Sequence, residues 1–287
     1  NMLGAGCSPG LKHRGLVHTE FLNIGSHLAT LGDEYEITPN ERRPCSAFPN
    51  VFHPDFEAYC RYVARTRCLP NRDDPWLFGY FIDNELAWWG RGAPDTGLFD
   101  AVMKRSSEHT AKRYFSVTAR AIRAVDPNHL VLGARFAGTG GAHPEVWKVS
   151  GTFCDVVTFN VYPMADLDEG RVYTHLGQGG EPVPEHFQRF YDYVRRPMLI
   201  TEWSFPALDA GVPSVHGAGQ RFRTQAERTQ ATSLFARTML SLPFLLGYDY
   251  FMWVDQPALG ISTPFPEDSN YGLVTEEGVP HPLITAM

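Results

Sequence analysis

The feature that most constrains the fold of this 287-residue sequence is a regular alternation of short apolar runs and longer amphipathic segments. Runs rich in β-branched and aromatic residues predict strands at 1–6, 15–21, 76–83, 130–136, 155–162, 198–203 and 246–253. Apolar residues recurring three or four apart predict helices at 55–68, 97–125, 184–195 and 223–241. This order of strands and helices is typical of a parallel sheet covered by helices.

The run 155–162 indicates which kind of parallel sheet is present. Thr158, Asn160 and Tyr162 fall on one face of the predicted strand, and the alternate positions are apolar. A polar face near the carboxyl end of a strand is expected where the inside of a (β/α)8 barrel opens. A doubly wound sheet is the competing architecture, but no GxGxxG follows the first strand. We therefore predict an α/β chain folded as a TIM barrel.

The length and the 43% hydrophobic content suit one large domain, so a single barrel domain over 1–287 is predicted. The predicted strands are one short of the eight that close such a barrel. Residue 1 already lies in an apparent strand, and the last helical segment starts at His281 and stops at Met287. We expect an incomplete barrel that lacks its first strand and most of its last helix, in a chain that is a fragment of a longer protein.

Charge and hydropathy exclude several classes of partner. The net charge is −7, and the Lys and Arg residues are scattered, so no broad basic surface for phosphate contacts is expected. No apolar stretch approaches the length that spans a bilayer. We expect neither nucleic acid nor a membrane as partner, and the oligomeric state stays open.

The cysteines, histidines and glycines predict no metal and no cofactor. The five cysteines have none of the close-paired spacings of zinc sites, and HExxH is absent. Cys60 and Cys68 are separated by about 12 Å of helical rise, which is beyond disulfide reach. We therefore predict mostly buried thiols. The absence of GxSxG also disfavours a serine hydrolase.

Two acidic residues stand at the ends of otherwise apolar runs. Glu85 closes WLFGYFIDNE, and Glu202 closes MLITE. Carboxyl ends of parallel strands meet at one rim, and a buried carboxylate is costly without a role or a partner, so catalysis is one explanation and a structural cap or ion pair is the other. Cleavage of a glycosidic bond needs such a pair, one carboxyl group to protonate the leaving oxygen and another to attack or to activate water.

The segments GYFIDNELAWWG and PMLITEWSF resemble the acid/base and nucleophile strands of clan A glycoside hydrolases. In that clan an Asn–Glu pair ends the fourth strand and a Glu ends the seventh, so the predicted strands would be the second to the eighth. The opening Asn1-Met-Leu-Gly, the run TEWSFPALD and the late Asp268-Ser-Asn-Tyr-Gly-Leu are most similar to the β-agarases of family 50. Family 42 β-galactosidases and family 86 agarases or porphyranases are less close.

This resemblance implies a retaining hydrolase that cleaves β-galactosidic bonds of a galactan such as agarose by double displacement. Glu202 would be the nucleophile, and Glu85 would act first as acid and then as base. Asn84 would hydrogen-bond the 2-hydroxyl of the sugar. Tyr162 would orient or stabilise Glu202, and Trp253 would form a floor under the sugar.

Further substrate contacts are expected near the strand ends. Trp89 could stack on a sugar, Asn160 lies on the polar face of its strand, and His18 with Glu20 ends another strand. Packing in the core competes with sugar binding for each aromatic residue, and one member of the pair Trp88 and Trp89 is expected to pack inward.

Asp83 and Arg135 are expected to have supporting roles rather than catalytic ones. Asp83 is expected to anchor its loop by hydrogen bonds rather than to act as a third catalytic carboxylate. Many clan members carry an Arg at the end of the second strand that supports the nucleophile, but residues 1–6 contain none. Arg135, at the end of the predicted fifth strand, is a candidate replacement.

Two alternatives to a galactan-cleaving enzyme stay open. One is a β-galactosidase-like exo-enzyme on short galactosides, and the other is a barrel that binds carbohydrate without cleaving it. A polysaccharide substrate would favour a secreted or periplasmic location.

Overall fold

The computed structural model describes residues 2–12, 14–38, 47–88, 106–175, 180–263 and 265–287. Their contacts group them into two units. The first unit is Asn1–Asn160 with Phe190–Leu199, and the second is Val161–Arg189 with Ile200–Met287. The prediction of a single domain over 1–287 stays a prediction.

The bounds of the regular elements follow in chain order. The strands are β1 Met2–Leu3, β2 Val17–Phe21, β3 Glu36–Thr38, β4 Phe48–Pro49, β5 Leu77–Phe81, β6 Leu130–Val131, β7 Phe136–Ala137, β8 Val157–Asn160, β9 Met164–Asp166, β10 Arg171–Tyr173, β11 Met198–Glu202 and β12 Leu245–Tyr248. The α-helices are α1 Ile24–Ala29, α2 Phe56–Val63, α3 Ser107–Val125, α4 Pro144–Phe153, α5 Val183–Val194, α6 Gln225–Leu240 and α7 Pro282–Thr285.

Parallel strands form the centre of the first unit. They pair in the order β1-β2-β5-β6, and β7 pairs with β8 in the same parallel sense. In the register, Phe21 lies opposite Phe81, so β2 and β5 end together. The backbone N–H of Val157 in β8 also donates to the carbonyl of Pro197, just before β11, at 3.0 Å. The prediction of an α/β fold with parallel strands is confirmed.

Each predicted strand overlaps an observed one, but the run 130–136 is split. Predicted strand 130–136 becomes β6 and β7, with Gly133 and Arg135 between them at φ values of 81° and 45°. A left-handed residue cannot continue an extended strand, so the backbone turns at these two positions. The sequence prediction did not foresee this turn or the antiparallel pairs β3 with β4 and β9 with β10.

The long helices begin where side chains cap their first turn. Ser106 Oγ accepts the backbone N–H of His109 at 3.2 Å, which starts α3. Thr224 and Glu227 form a reciprocal capping box at the start of α6. The predicted helices 55–68, 184–195 and 223–241 correspond to α2 with the π-helical turn Ala64–Cys68, to α5 and to α6. The segment 97–105 of the predicted helix 97–125 lies outside the described residues, and α3 covers the rest.

Helices that the sequence prediction missed are short or lack a clear apolar stripe. In α1, the buried residues are nearly continuous, so no amphipathic period is visible. In α4, Pro144 at the first position marks the start, but the apolar residues that follow resemble a strand. Both helices belong to the first unit.

Each unit buries its own apolar core. In the first, Phe81, Leu132, Val156 and Leu199 form a cluster contributed by strands and their extensions. In the second, Trp203 packs against Phe235, Tyr248 and Tyr250, with ring centroids 4.2–5.3 Å apart. The core of the second unit therefore forms directly beside Glu202.

The cysteines that the structure describes are free thiols: Cys7, Cys60, Cys68 and Cys154. Cys60, Cys68 and Cys154 are buried, and burial raises the pKa of the Cys154 thiol to about 12. Cys45 lies outside the described residues. Among the described residues, no helix is both long and apolar enough to cross a membrane, and no group of three or more His, Cys, Asp or Glu is placed to bind a metal ion.

An exposed ion pair at the start of α5 gives a pH-dependent prediction. Arg189 donates to both carboxylate oxygens of Glu181, and His186 contacts one of them. These hydrogen bonds, with that of Arg189 the largest cause, lower the pKa of Glu181 to about 2. A carboxylate whose pKa is lowered on folding stabilises the protein above its ordinary pKa, and the contribution is lost as the pH falls toward 2.

We therefore expect Glu181→Gln to lower the free energy of unfolding at pH 7 by no more than about 1 kcal/mol, since the pair is partly exposed. The difference from the parent should shrink between about pH 5 and pH 2, as followed by urea unfolding. Glu185→Gln, in the first turn of α5, is the control for removal of one negative charge nearby, and it should lower the free energy of unfolding at pH 7 by less than Glu181→Gln. An equal effect of Glu181→Gln at pH 7 and pH 2.5 would contradict the prediction.

Candidate active site

Glu85 lies just beyond β5 in the first unit, in a left-handed backbone conformation with φ of 49°. Its N–H donates to the carbonyl of Arg135 at 3.1 Å, and Arg135 is itself left-handed. A left-handed conformation is costly for a residue with a side chain, and it persists where neighbouring contacts require it. The linked turns after β5 and β6 therefore determine where the Glu85 carboxylate is presented.

Asn160, the last residue of β8, joins Glu85 to Asn84. Its Nδ2 group donates to Glu85 Oε1 at 2.9 Å and to Asn84 Oδ1 at 3.2 Å. Asn160 is 1% exposed, so its amide orientation is determined by these two acceptors. The structure thus brings together Asn84, Glu85 and Asn160, three residues that the sequence placed at strand ends.

Asp83 has the anchoring role that the sequence indicated. Its fully buried carboxylate accepts hydrogen bonds from the N–H groups of Gly25 and Ser26 and from the hydroxyls of Ser26 and Tyr114, at 2.6–3.0 Å. Burial raises the pKa of Asp83, and the hydrogen bonds oppose that rise. The carboxylate thereby joins the start of α1 to the end of β5.

Arg135 is nearly buried in the first unit. Its guanidinium carbon lies 5.4 Å from the ring centroid of Phe21 and 5.5 Å from that of Phe81. This is the distance range of cation–π attraction. A positive charge is thus buried at the carboxyl ends of β2 and β5. The sequence offered Arg135 as a candidate for supporting the nucleophile, and that role stays a prediction.

Glu202 is the last residue of β11, in the second unit. Its Oε2 accepts a hydrogen bond from the hydroxyl of Tyr162 at 3.1 Å, and its carbonyl accepts the N–H of Val161 at 2.9 Å. The next residue, Trp203, is buried in the core of this unit. Because the backbone on both sides of Glu202 is restrained, its carboxylate has few orientations available.

Trp253 belongs to the second unit and is 68% exposed. Its carbonyl accepts the N–H groups of Leu273 and Val274 at 2.9 and 3.1 Å, which fixes the backbone while the indole ring stays accessible. An exposed ring on a restrained backbone is suited to stacking, and the role of Trp253 as a sugar platform stays a prediction.

Comparison with known proteins shows that the chain is similar to agarases. No family model matches the chain. Beta-agarase B of Vibrio sp. (strain JT0107) is 24% identical over 279 residues, covering 75% of this chain and 27% of that protein. Beta-agarase A of the same strain is 28% identical over 222 residues, covering 72% and 20%. The crystal structure of the agarase AgWH50C matches with a TM-score of 0.76 at 25% identity, over 99% of this chain and 45% of that chain.

Over most of its length, the chain is therefore similar to proteins named beta-agarase and to the agarase AgWH50C. The resemblance to family 50 β-agarases seen in GYFIDNELAWWG and PMLITEWSF is therefore confirmed, and the names of the relatives support the prediction of a glycoside hydrolase. The chain spans about a quarter or less of the length of the curated relatives that it matches.

His18 lies away from Glu85 in the first unit. It is buried near the amino end of β2, and its Nε2 is 3.4 Å from the carboxylate of Asp74. The register places His18 opposite Leu77, the first residue of β5, whereas Glu85 follows the last. The structure does not bring His18 to the strand ends where the carboxylate pair was predicted.

Glu20 is engaged in ion pairs. Lys12 contacts its Oε1, and Arg67 Nη2 lies 3.6 Å from its Oε2. Arg67 is part of the π-helical turn Ala64–Cys68, so Glu20 faces the helices. Glu20 is therefore held by ion pairs on the helix side of β2, and the structure does not bring it beside Asn84 and Glu85.

Of the neighbouring residues Trp88 and Trp89, only Trp88 lies among the described residues. Trp88 is buried and stacks on Phe115 with ring centroids 5.6 Å apart, as expected for the member of the pair that packs inward. Trp89 lies outside the described residues, so its predicted contact with sugar stays a prediction.

A buried polar network in the second unit was missed by sequence reasoning. Arg228 in α6 is fully buried and donates to Asn270 Oδ1 at 2.7 Å, to the Tyr250 hydroxyl at 2.8 Å and to the Gly272 carbonyl at 2.6 Å. Asn270 Nδ2 then donates to Asp255 Oδ1 at 2.6 Å. The run Asp268-Ser-Asn-Tyr was visible as a motif, but nothing in the sequence paired it with an arginine on a distant helix.

The Asp83 anchor can be tested by stability measurements. Asp83→Ala leaves four buried donors without their acceptor, so we expect the free energy of unfolding to fall by at least about 3 kcal/mol. Tyr114→Phe removes one donor and keeps the carboxylate, so a loss of about 1–2 kcal/mol is expected. Urea unfolding followed by circular dichroism measures both. If Asp83→Ala cost no more than Tyr114→Phe, the anchoring role would be wrong.

Proposed function

We propose that this chain carries the catalytic groups of a retaining glycoside hydrolase that cleaves β-galactosidic bonds of an agarose-type galactan. Glu202 is the nucleophile and Glu85 the acid/base. The main support is that the two strand-end glutamates are each oriented by a neutral hydrogen-bond donor, Asn160 for Glu85 and Tyr162 for Glu202. The similarity to proteins named beta-agarase supports the substrate class.

In the first step, a Glu202 carboxylate oxygen attacks the anomeric carbon of the galactose unit, and the bond to the leaving oxygen breaks. Glu85 gives its proton to that oxygen. Tyr162 donates to Glu202 Oε2 and so orients the carboxylate for this attack. The product is a galactosyl ester of Glu202 and an alcohol.

In the second step, Glu85 removes a proton from water as the water oxygen attacks the anomeric carbon, and the ester bond to Glu202 breaks. Two inversions at one carbon retain the anomeric configuration. The Asn160 amide donates to Glu85 Oε1 and so holds the carboxyl group in one orientation for both proton transfers.

Asn84 suits a contact with the sugar because its amide has a defined orientation. Its Oδ1 accepts a hydrogen bond from Asn160, so its Nδ2 group is the part directed elsewhere. We assign that group to the 2-hydroxyl oxygen of the sugar, a contact that strengthens in the transition state. Trp253 and Trp89 are assigned to stacking on sugar rings.

We also infer that the parallel strands belong to a (β/α)8 barrel, in which β5 and β11 present their carboxyl ends at one rim. Glu85 follows β5, and Glu202 closes β11. A retaining enzyme requires their carboxyl groups to be about 5–5.5 Å apart, the separation expected in a crystal structure with bound oligosaccharide. His18 and Glu20 are not part of this proposal.

The two glutamates can be distinguished by rescue with azide. Glu202→Ala should abolish turnover, and azide should yield a glycosyl azide of inverted configuration because it replaces the missing nucleophile. Glu85→Ala should keep the first step on substrates with good leaving groups, while turnover falls by about 10²–10⁴-fold on natural linkages. Azide should then give a glycosyl azide of retained configuration.

Proton NMR of the product before mutarotation decides the mechanism of the parent enzyme. Retained β-configuration is expected from agarose oligosaccharides. Inverted product would contradict the roles of Glu85 and Glu202. A panel of agarose, porphyran and aryl β-galactosides decides the substrate, and activity on none of them would contradict the proposed function.

The role of Asn160 predicts a dependence on the leaving group. Asn160→Ala should lower kcat/KM by about 10- to 100-fold on natural linkages, because Glu85 loses the donor that orients it. The loss should be smaller on activated aryl galactosides, which need little protonation. Asn128→Ala is the control, since Asn128 donates to the Arg72 carbonyl outside the site. Equal losses on both substrates would contradict this role.

A further inference from the structure

The segment Ser214–Arg221, called here the 214–221 loop, lies in the second unit and has an unusual backbone. Ser214, Gly217 and Gly219 adopt φ values of 50°, 111° and 89°. Three positive φ values so close together do not form a regular element. Glycine adopts them readily, whereas Ser214 carries a side chain and is held in this conformation by its surroundings.

Arg221 supplies the inner contacts of this loop. The N–H groups of its guanidinium donate to the carbonyls of Ser214, Gly217 and Gly219 at 2.8, 2.9 and 2.7 Å. A longer hydrogen bond, of 3.3 Å, goes to the carbonyl of Val215. The loop is therefore folded around its own arginine. A planar guanidinium can reach several carbonyls at once, whereas a lysine ammonium cannot reproduce that geometry.

The Asp268-Ser-Asn-Tyr motif supplies the outer contacts. Asp268 Oδ1 accepts the N–H groups of Val215 and His216 at 2.9 and 2.7 Å. Ser269 Oγ donates to the carbonyl of His216, and the Tyr271 hydroxyl donates to that of Ala218. The motif thus has a structural partner, the 214–221 loop.

The far end of the loop packs on Tyr162, the residue that donates to Glu202. A Cβ atom on Gly219 would lie 3.4 Å from Tyr162 Cδ1 and 3.2 Å from the carbonyl oxygen of Ser204. The neighbouring Gln220 exchanges two hydrogen bonds with the backbone of Ala165, at 2.7 and 3.1 Å. The loop therefore contacts the Tyr162 ring and also restrains the chain three residues after it.

The Tyr162 ring has aromatic neighbours on other sides. Its centroid lies 6.1 Å from that of Tyr271 and 6.5 Å from that of Phe251. Tyr271 thus contacts both the 214–221 loop and Tyr162. The position of the Tyr162 hydroxyl depends on the same contacts that determine the conformation of the loop.

We propose that Arg221 is a positioning residue for the nucleophile: through the 214–221 loop it places the Tyr162 ring so that the Tyr162 hydroxyl donates to Glu202. This rests on the proposed role of Glu202. Arg221 takes no part in bond making or proton transfer, and its effect on the reaction passes through Tyr162.

A double-mutant cycle tests this route. Tyr162→Phe should lower kcat and kcat/KM equally, by about 10- to 100-fold, because the donor to the nucleophile is lost. Arg221→Ala should have a similar effect with little change in KM. The double variant should be no more than about two-fold slower than Tyr162→Phe, since both changes remove the same interaction. Multiplying losses would overturn the proposal.

Two further variants keep the test decisive if Arg221→Ala does not fold. Arg221→Lys retains the charge and should lose nearly as much activity as Tyr162→Phe. Gly219→Ala places a methyl group against Tyr162 and should show the same non-additivity with Tyr162→Phe. Arg189→Ala, which removes another arginine with several hydrogen bonds in the second unit, is the control and should keep its activity. Parent-like kcat in both Arg221→Lys and Gly219→Ala would overturn the proposal.

A readout without catalysis separates this inference from the proposed function. With 3-fluorotyrosine at position 162, Arg221→Lys should shift or broaden the fluorine NMR signal, and Arg189→Ala should leave it unchanged. An unchanged signal in Arg221→Lys would overturn the positioning role even in an active enzyme. A shifted signal in a protein without glycosidase activity would support the positioning of Tyr162 and contradict only the proposed function.

Discussion

The buried carboxylate of Asp83 is the interaction on which the arrangement in the first unit depends. A buried charge without partners is costly, and Asp83 is surrounded by donors from the start of α1 and from Tyr114 in α3. These contacts fix the point where β5 ends. Asn84 and Glu85 follow directly, so the directions of their side chains depend on an anchor that has no role in the chemistry.

Beyond this anchor, the backbone turns twice in left-handed conformations, at Glu85 and at Arg135. The hydrogen bond from Glu85 N–H to the Arg135 carbonyl joins the two turns. The split of the predicted fifth strand into β6 and β7 therefore contributes to the position of Glu85. Arg135 is also held by its guanidinium, which lies over the rings of Phe21 and Phe81.

Both glutamates receive hydrogen bonds from neutral groups, an amide for Glu85 and a phenol for Glu202. A neutral donor orients a carboxylate without cancelling its charge, which suits a group that must attack carbon or exchange a proton. Glu20 and Glu181 form ion pairs with Lys or Arg side chains, and the hydrogen bonds from Arg189 lower the pKa of Glu181.

The sequence by itself determined the α/β class, the approximate bounds of the long helices, and Glu85 and Glu202 as candidate residues. Those features depend on local periodicity and on acidic residues at the ends of apolar runs, which can be read without knowing the register. The motif resemblance depended on equally local segments. The family 50-like interpretation therefore needed only short stretches of sequence and no knowledge of how distant strands pair.

The tertiary structure alone decided which residues meet. Asn160 and Glu85 are 75 residues apart in the chain, and Arg228 and Asn270 are 42 apart. His18 and Glu20 are equivalent to Glu85 in the sequence pattern, as strand-end polar residues, yet the register puts His18 at the opposite end of the strands and turns Glu20 toward the helices. Which end and which face of a strand a side chain occupies depends on pairing with distant strands, because hydrogen bonds between strands, and not local preference, set the register.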